Sequence, residues 1–221
     1  EILLKYLAAD KFDVEVSLKR LKKTLEWRSK FRPLEAAYTE EFDSELETLG
    51  LITSFPNAED GFKTTTWNLY GAIKLPKKLF AQYADALGSG DDLDNTPFLR
   101  WRIGLMEKAL ANIDFTSSDN KVAQIHDYEN ALMFRMDSGM KAATKSIVEI
   151  FTSHYPELLS HKMFINVPYI LGWVYPALCA MGIILTETAS KLTMQSHANI
   201  LKWFPTVDLP KKYGGSKDVS V

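Results

Sequence analysis

Met163-Phe-Ile-Asn-Val-Pro-Tyr-Ile-Leu-Gly-Trp-Val-Tyr-Pro-Ala-Leu-Cys-Ala-Met-Gly-Ile-Ile-Leu185 is a run of 23 residues without a charge. On length alone it could span a bilayer. Its interior argues against one continuous helix, because Asn166, Pro168, Gly172, Pro176 and Gly182 interrupt it repeatedly. The opening Met163–Val167 reads instead as a buried strand before a turn, followed by a very apolar helix over 170–185 that must cover something equally apolar.

Working outward, strands and helices alternate. Lys121-Val-Ala-Gln-Ile-His-Asp-Tyr128 alternates as a strand does, and Ala131–Met136 is a second candidate strand. Thr64-Thr-Thr-Trp-Asn-Leu-Tyr70 is β-branched and aromatic, hence a strand ended by Gly71 or Pro76. Helices are expected over 97–113, with Phe98, Trp101, Leu105, Ala109 and Leu110 as the buried stripe, and over 139–153, up to the break at Tyr155-Pro156-Glu157. A helical continuation is expected over Thr186–Met194. Between these elements, Gly88–Asn95 is a Gly- and Asp-rich loop, too acidic to cradle phosphate.

Upstream, Val14, Leu18, Leu21 and Leu25 recur at helical spacing among basic residues, giving an amphipathic helix that Pro33 stops. The acidic stretch 35–48 is expected to form one or two short helices. The pattern is α/β: an N-terminal helical unit, 1–48, and a largely parallel sheet domain, 49–216. Glu1-Ile-Leu-Leu-Lys-Tyr-Leu7 looks like the middle of a helix rather than a signal peptide, so a trimmed chain is expected.

Composition bounds the function. With 221 residues, 46% of them apolar and 12% aromatic, the chain can bury roughly 70% of its unfolded surface. Disorder is excluded, and the rings suit either a core or a large apolar ligand. A net charge of −2 gives no drive toward nucleic acid. The charges are segregated, however: residues 1–33 hold nine Lys/Arg against five Asp/Glu, and 35–48 holds six acidic residues with no Lys or Arg. The basic stretch fits a solvated helix face, or a surface that meets headgroups. The single cysteine, Cys179, allows no internal disulfide and suits a reducing cytoplasm.

Enzyme signatures are missing: no Gly-x-Ser-x-Gly elbow, Walker loop, dinucleotide Gly pattern or His-Glu-x-x-His is present. His154, His161 and His197 lack metal-like spacing and read as surface or local packing residues. The one pair that suggests a ligand is His126-Asp-Tyr128. On a strand, His126 and Tyr128 share a face while Asp127 faces away. A Tyr phenolate can ligate ferric haem iron, and a neighbouring His can hydrogen-bond it or approach the iron. The unperturbed phenol titrates near pH 10, so ligation at neutral pH needs the iron's charge to favour the anion. By itself, His-x-Tyr reads as packing more readily than as a haem site.

The ordered spellings Leu3-Leu-Lys-Tyr-Leu7 with Lys11-Phe-Asp13 and Glu26-Trp-Arg28, Tyr155-Pro-Glu157, Phe164-Ile-Asn-Val-Pro168, Lys191, and Leu209-Pro210 with Tyr213-Gly-Gly215 resemble the CRAL-TRIO (Sec-fourteen-like) lipid-binding family over nearly the whole chain. Thr66–Gly71, Arg102–Lys108, Asp114–Asn120, His126–Tyr128 and Gly172–Tyr175 look closest to a fungal branch of phosphatidylinositol transfer proteins that bind haem. The resemblance implies a sheet flooring a hydrophobic cavity, closed by helix 170–185 as an apolar gate. It also implies ferric haem b, with Tyr128 as the iron ligand and His126 beside it, and with Tyr70, Arg102 and Lys162 as further pocket residues. Each of these three has a plainer alternative. Arg102 could pair with Glu107 or an acidic loop, Lys162 could be a solvated strand end, and Tyr70 could simply pack. Covalent haem attachment is ruled out by the lack of Cys-x-x-Cys-His.

For a phosphatidylinositol headgroup, the resemblance maps Glu157, Thr188 and Lys191. Here Lys191 would meet the phosphate, while Glu157 and Thr188 would hydrogen-bond inositol hydroxyls. One departure is Ala8-Ala9-Asp10, where inositol-lipid binders carry arginines and the haem branch a Tyr at the position of Asp10. It removes a positive partner, adds a negative one and leaves the distal side of a haem more open. The expected partners are haem, phosphatidylinositol and, transiently, a membrane surface, for a cytoplasmic protein peripheral to the endoplasmic reticulum or other internal membranes. A weak homodimer is compatible with the resemblance, and oligomeric state is otherwise open. A haem with an open sixth position would support weak peroxidase chemistry, but no dedicated distal acid–base pair is legible, so an enzyme is not expected.

Overall fold

β-branched and aromatic residues in period-two runs dictate the sheet. In a computed structural model, the described residues are 1–81, 95–131, 138–167, 192–194 and 200–218, with the backbone alone of 192–194. They form two compact units, 1–48 with 73–111 and 132–158, and 49–72 with 112–131 and 159–221.

The second unit holds a five-stranded sheet in the order β1 (Gly50–Ser54), β2 (Thr64–Asn68), β3 (Val122–Asp127), β4 (Leu159–Ile165) and β5 (Leu192–Met194). β1 pairs antiparallel with β2, and all the other pairings are parallel. The largely parallel sheet expected from the sequence is present. β3 is buried along its whole length, as a strand between two parallel neighbours must be. One face of the sheet carries Trp67, Ala123, Ile125, Met163 and Ile165, packed with Phe62, Phe204 and Tyr213 in a single apolar cluster. The opposite face is polar yet equally closed: Thr66, Asn68, Gln124 and His126 are each under 5% exposed.

The first unit is helical: α1 (Ile2–Ala9), α2 (Val14–Phe31), α3 (Pro33–Tyr38), α4 (Ser44–Glu47), α5 (Pro76–Leu79), α6 (Pro97–Leu110) and α7 (Ser138–His154). Asp13 caps α2 by accepting from the Val16 amide. Arg32, left-handed at φ 56°, ends α2, and Pro33 starts α3 at a position where a missing N–H costs nothing. Gly104 lets α6 approach α3 closely, since a Cβ there would lie 2.5 Å from the Ala36 carbonyl.

Four expectations are corrected. The apolar stripe of α2 does not face inward: Val14, Leu18 and Leu25 are 67%, 48% and 58% exposed, while Ser17, Thr24 and Phe31 are buried. Polar bonding chose that face, because the Ser17 hydroxyl donates to the Asp13 and Tyr6 carbonyls and Thr24 Oγ1 lies 3.1 Å from His154 Nδ1. α6 stops at Leu110 and is buried nearly all round, including Leu99, Ile103 and Met106. Residues 192–194 form a parallel edge strand where a helical continuation was expected. Gly50–Ser54, for which no element was expected, is a strand paired to Thr64–Asn68. The candidate strand 131–136, the loop 88–95 up to residue 94, the apolar helix 170–185, Cys179 and His197 lie outside the described residues. Among the described residues no helix is long and apolar enough to cross a membrane.

α2 is locked onto α7 by rings and onto α6 by charge. The Trp27 indole stacks on the His154 imidazole at 4.3 Å and 6°. Arg28 makes a bidentate pair with Glu107, at 2.6 and 3.0 Å, and the Tyr155 hydroxyl donates to the same carboxylate at 2.6 Å. Burial, with Arg20 and Arg28 nearby, pushes His154 down to about 4. Because the unfolded imidazole titrates near 6.5, the neutral ring stabilises the fold above that pH, and the contribution is lost as pH falls toward 4. Urea denaturation at pH 7.0 and at pH 4.5 is expected to differ by roughly 1–2 kcal/mol from this ring, after allowance for solvent screening. His154→Gln should flatten that slope; an unchanged slope would remove His154 as its source.

Candidate functional site

β3 alternates, so its last turn of side chains divides between the two faces. His126 points to the polar face and Asp127 to the apolar one. Tyr128 lies just past the strand end, its amide held by the Ile165 carbonyl at 3.1 Å. Parallel register places His126 beside Asn68 of β2 and Phe164 of β4. The rings of His126 and Phe164 stack at 5.2 Å, and Tyr128 lies over Phe164 at 6.1 Å. Tyr70, on the 3₁₀ turn Tyr70–Ala72 after β2, meets both His126 (5.4 Å) and Tyr128 (5.9 Å). The Lys162 ammonium sits 5.6 Å from the centre of the Phe164 ring.

Tyr70, His126, Tyr128 and Lys162 are thus brought together by the second unit around Phe164. Phe164 was quoted above only as part of a spelling. Its place at the centre follows from the β3–β4 register, which sequence alone does not supply. Asn68 is a second such residue: fully buried, it donates through Nδ2 to the Ile125 carbonyl at 3.2 Å, and its Oδ1 has no hydrogen-bond partner among the described residues. Lys162 is a ring-packed, partly buried cation rather than a solvated strand end.

The back of this cluster is fixed by a buried carboxylate. Asp127, 2% exposed, accepts from Asn166 Nδ2 (2.8 Å), the Tyr213 hydroxyl (2.8 Å) and the Glu129 amide (2.9 Å), and pairs with Lys212 Nζ (2.9 Å). Burial opposes its charge, but these donors outweigh burial and hold the carboxyl below its ordinary range. Tyr213 is pushed up, by burial first and then by the Asp127 charge, so its hydroxyl stays a donor.

Arg102 is placed by α6 in the first unit, fully buried with the Phe151 ring 4.9 Å from its guanidinium carbon. The alternative pairing with Glu107 is not made, since that carboxylate is taken by Arg28 and Tyr155. Among the described residues none of the three guanidinium nitrogens has a hydrogen-bond partner. A buried guanidinium left without partners is destabilising, so Arg102 is a candidate to receive an anion.

Glu157, also in the first unit, is held in a left-handed turn at φ 52°, and its carbonyl accepts from the buried Lys5 ammonium at 3.1 Å. Lys5 is a cation at this turn that spelling alone did not single out. Asp10 is bound by Arg20 at 2.6 Å, so the negative charge introduced there is compensated locally. Thr188 and Lys191 lie outside the described residues.

A model of the CRAL/TRIO domain matches residues 85–215, more than half of the chain. The chain belongs to the CRAL/TRIO domain family. Relatives of this CRAL/TRIO chain include phosphatidylinositol transfer protein SFH5 of Debaryomyces hansenii, 53% identical over 98% of the chain, and that of Candida albicans, 51% identical over 100% of it. The chain spans 64% and 68% of the length of these two proteins. The crystal structure of Sfh5 superposes with a TM-score of 0.82 at 34% identity, covering 99% of this chain and 72% of the other. The fungal transfer-protein branch suggested by the spellings is the one these relatives represent.

The close approach of the Tyr70 turn to the Tyr128 turn depends on Gly71, where a Cβ would lie 1.8 Å from the Glu129 carbonyl oxygen. Gly71→Ala is expected to lower stability by roughly 1–3 kcal/mol and to move the Tyr70 ring off Tyr128. Chemical denaturation together with the nuclear Overhauser contacts of the Tyr70 ring checks both effects; wild-type values of both would refute this account of Gly71.

Proposed function

We propose that this chain is a haem-binding protein on a phosphatidylinositol-transfer scaffold, holding ferric haem b through Tyr128 with His126 adjacent. The observation that carries this reading is the convergence of Tyr70, His126 and Tyr128 around Phe164 on one closed sheet face. The donor set fits the group. A phenol and an imidazole share that face, flat rings suit a porphyrin, and the Lys162 ammonium suits a propionate carboxylate. When bound, haem supplies a ferric centre and two propionates. Tyr128 would hold the ferric iron through its phenol oxygen as the phenolate, its proton passing to solvent, and His126, two residues away on the same face, would orient that oxygen by hydrogen bonding. The resemblance also counts Arg102 among the pocket residues, and its guanidinium has no hydrogen-bond partner among the described residues.

Phosphatidylinositol binding is the second activity of the proposal, supported by the names of the relatives and by family membership. In it, Glu157, Thr188 and Lys191 take the headgroup, and the compensated Asp10 is no obstacle. Contact with the endoplasmic reticulum or other internal membranes is peripheral and transient, from the cytoplasm.

Protein purified from cells supplied with haem should show a Soret band, and Tyr128→Phe should abolish or strongly shift it. An unchanged spectrum in Tyr128→Phe would end the assignment. Lys191→Ala should abolish phosphatidylinositol transfer between vesicles while leaving the Soret band in place; transfer at the wild-type rate would remove Lys191 from the headgroup site. Arg102→Met separates ligand binding from folding. Ligand-free stability should rise by about 1–4 kcal/mol, since a buried guanidinium with no hydrogen-bond partner among the described residues is removed, while haemin affinity falls. A variant that loses stability and keeps affinity would refute the anion-binding role.

A further inference from the structure

Asp127 lies between His126 and Tyr128 in sequence but on the other face of the sheet, so it cannot touch a ligand held by its two neighbours. It is nevertheless the most heavily hydrogen-bonded side chain near them. Three separate segments supply its donors. Asn166 lies just past β4 in a left-handed conformation at φ 54°, and Lys212 and Tyr213 lie on the 3₁₀ turn Lys211–Tyr213, which Gly214 closes at φ 88°. The third donor is local: the Glu129 amide, two residues on, donates to Asp127 Oδ1. That bond turns the chain directly after Tyr128.

The backbone of Tyr128 is thereby bracketed. Its own amide donates to the Ile165 carbonyl, its carbonyl accepts from the Ala131 amide, and the following amide is held by Asp127. Both flanking anchors, Ile165 and Asn166, belong to the end of β4, and Asn166 is itself tied to Asp127 at 2.8 Å. The Tyr213 ring packs at 5.0 Å from Trp67 in the apolar cluster, so its hydroxyl delivers the rigidity of that core to the carboxylate. Lys212 spans Asp127 and Glu129, both at 2.9 Å, and so clamps the residues on either side of Tyr128.

We propose that Asp127 is a positioning residue: from the apolar face of the sheet it fixes the strand end that aims the Tyr128 phenol, and the Lys212–Tyr213 turn holds it there. The inference rests on the reading of Tyr128 as the ligand-bearing residue, but its geometric content can be tested without any ligand. Positioning by a hydrogen-bonded neighbour outside the ligand shell commonly changes metal affinity 10- to 100-fold.

The test uses the full chain and three variants: Asp127→Asn, Tyr213→Phe and Lys212→Met. Tyr213→Phe keeps the ring in the core and removes only the hydroxyl, which guards against a variant that fails to fold. In the ligand-free protein, amide hydrogen exchange at Tyr128 and Glu129 should accelerate about tenfold or more in Asp127→Asn and Tyr213→Phe, while Ala123 and Ile125 in the same strand keep their protection. Ferric haemin should then bind these variants about tenfold or more weakly, with the phenolate-to-iron charge-transfer band reduced. Wild-type exchange at Tyr128 and Glu129 in both variants overturns the positioning role, whatever haemin does. Faster exchange spread equally over the strand also overturns it, because that marks general destabilisation. Wild-type protein that takes up no haemin would refute the haem reading instead, leaving the exchange result to decide the role of Asp127.

Discussion

The parallel ladder that holds Val122–Asp127 between two neighbours is the constraint on which the rest depends. A strand paired on both edges cannot rotate or slip, so successive residues are committed to opposite faces. Ile125 and Asp127 go to a packed apolar cluster, and Gln124 and His126 go to a closed polar face. One strand therefore serves as core on one side and as site on the other, and the stability of the first is available to order the second.

Two buried charges show how differently such groups are treated. Asp127 is surrounded by donors from its own strand end, from Asn166 and from the Lys212–Tyr213 turn, and burial costs it little because every acceptor site is used. Arg102 is more deeply buried and has only the face of Phe151 among the described residues. The first arrangement completes a fold. The second leaves a guanidinium with no hydrogen-bonding group among the described residues, which is costly unless another group completes it.

How much of this was legible in the sequence depended on the range of the interaction. Period-two alternation in Lys121–Tyr128 and the β-branched run Thr64–Asn68 identify two central strands, and the spellings around them identify the family. Local rules failed where polar bonding overrode hydrophobic pattern. On α2 the apolar stripe of Val14, Leu18 and Leu25 is solvent-exposed, because Ser17 bonds back to Tyr6 and Thr24 has a partner in His154, 130 residues away, that no window of sequence contains. Gly50–Ser54 was missed for a similar reason, as its strand character lies in its pairing with Thr64–Asn68.

By itself the sequence determined the central strands Thr64–Asn68 and Val122–Asp127, the shared face of His126 and Tyr128, and membership of the CRAL/TRIO family, since these depend on local periodicity and on ordered spellings. Only the tertiary structure decided that Phe164 stands at the centre of the aromatic cluster, that Gly71 lets Tyr70 reach it, and that Asp127 secures it from behind. Those facts depend on strand register and on contacts between residues up to 86 positions apart, as with Asp127 and Tyr213. Register is set by the collective packing of both faces, which no single segment encodes.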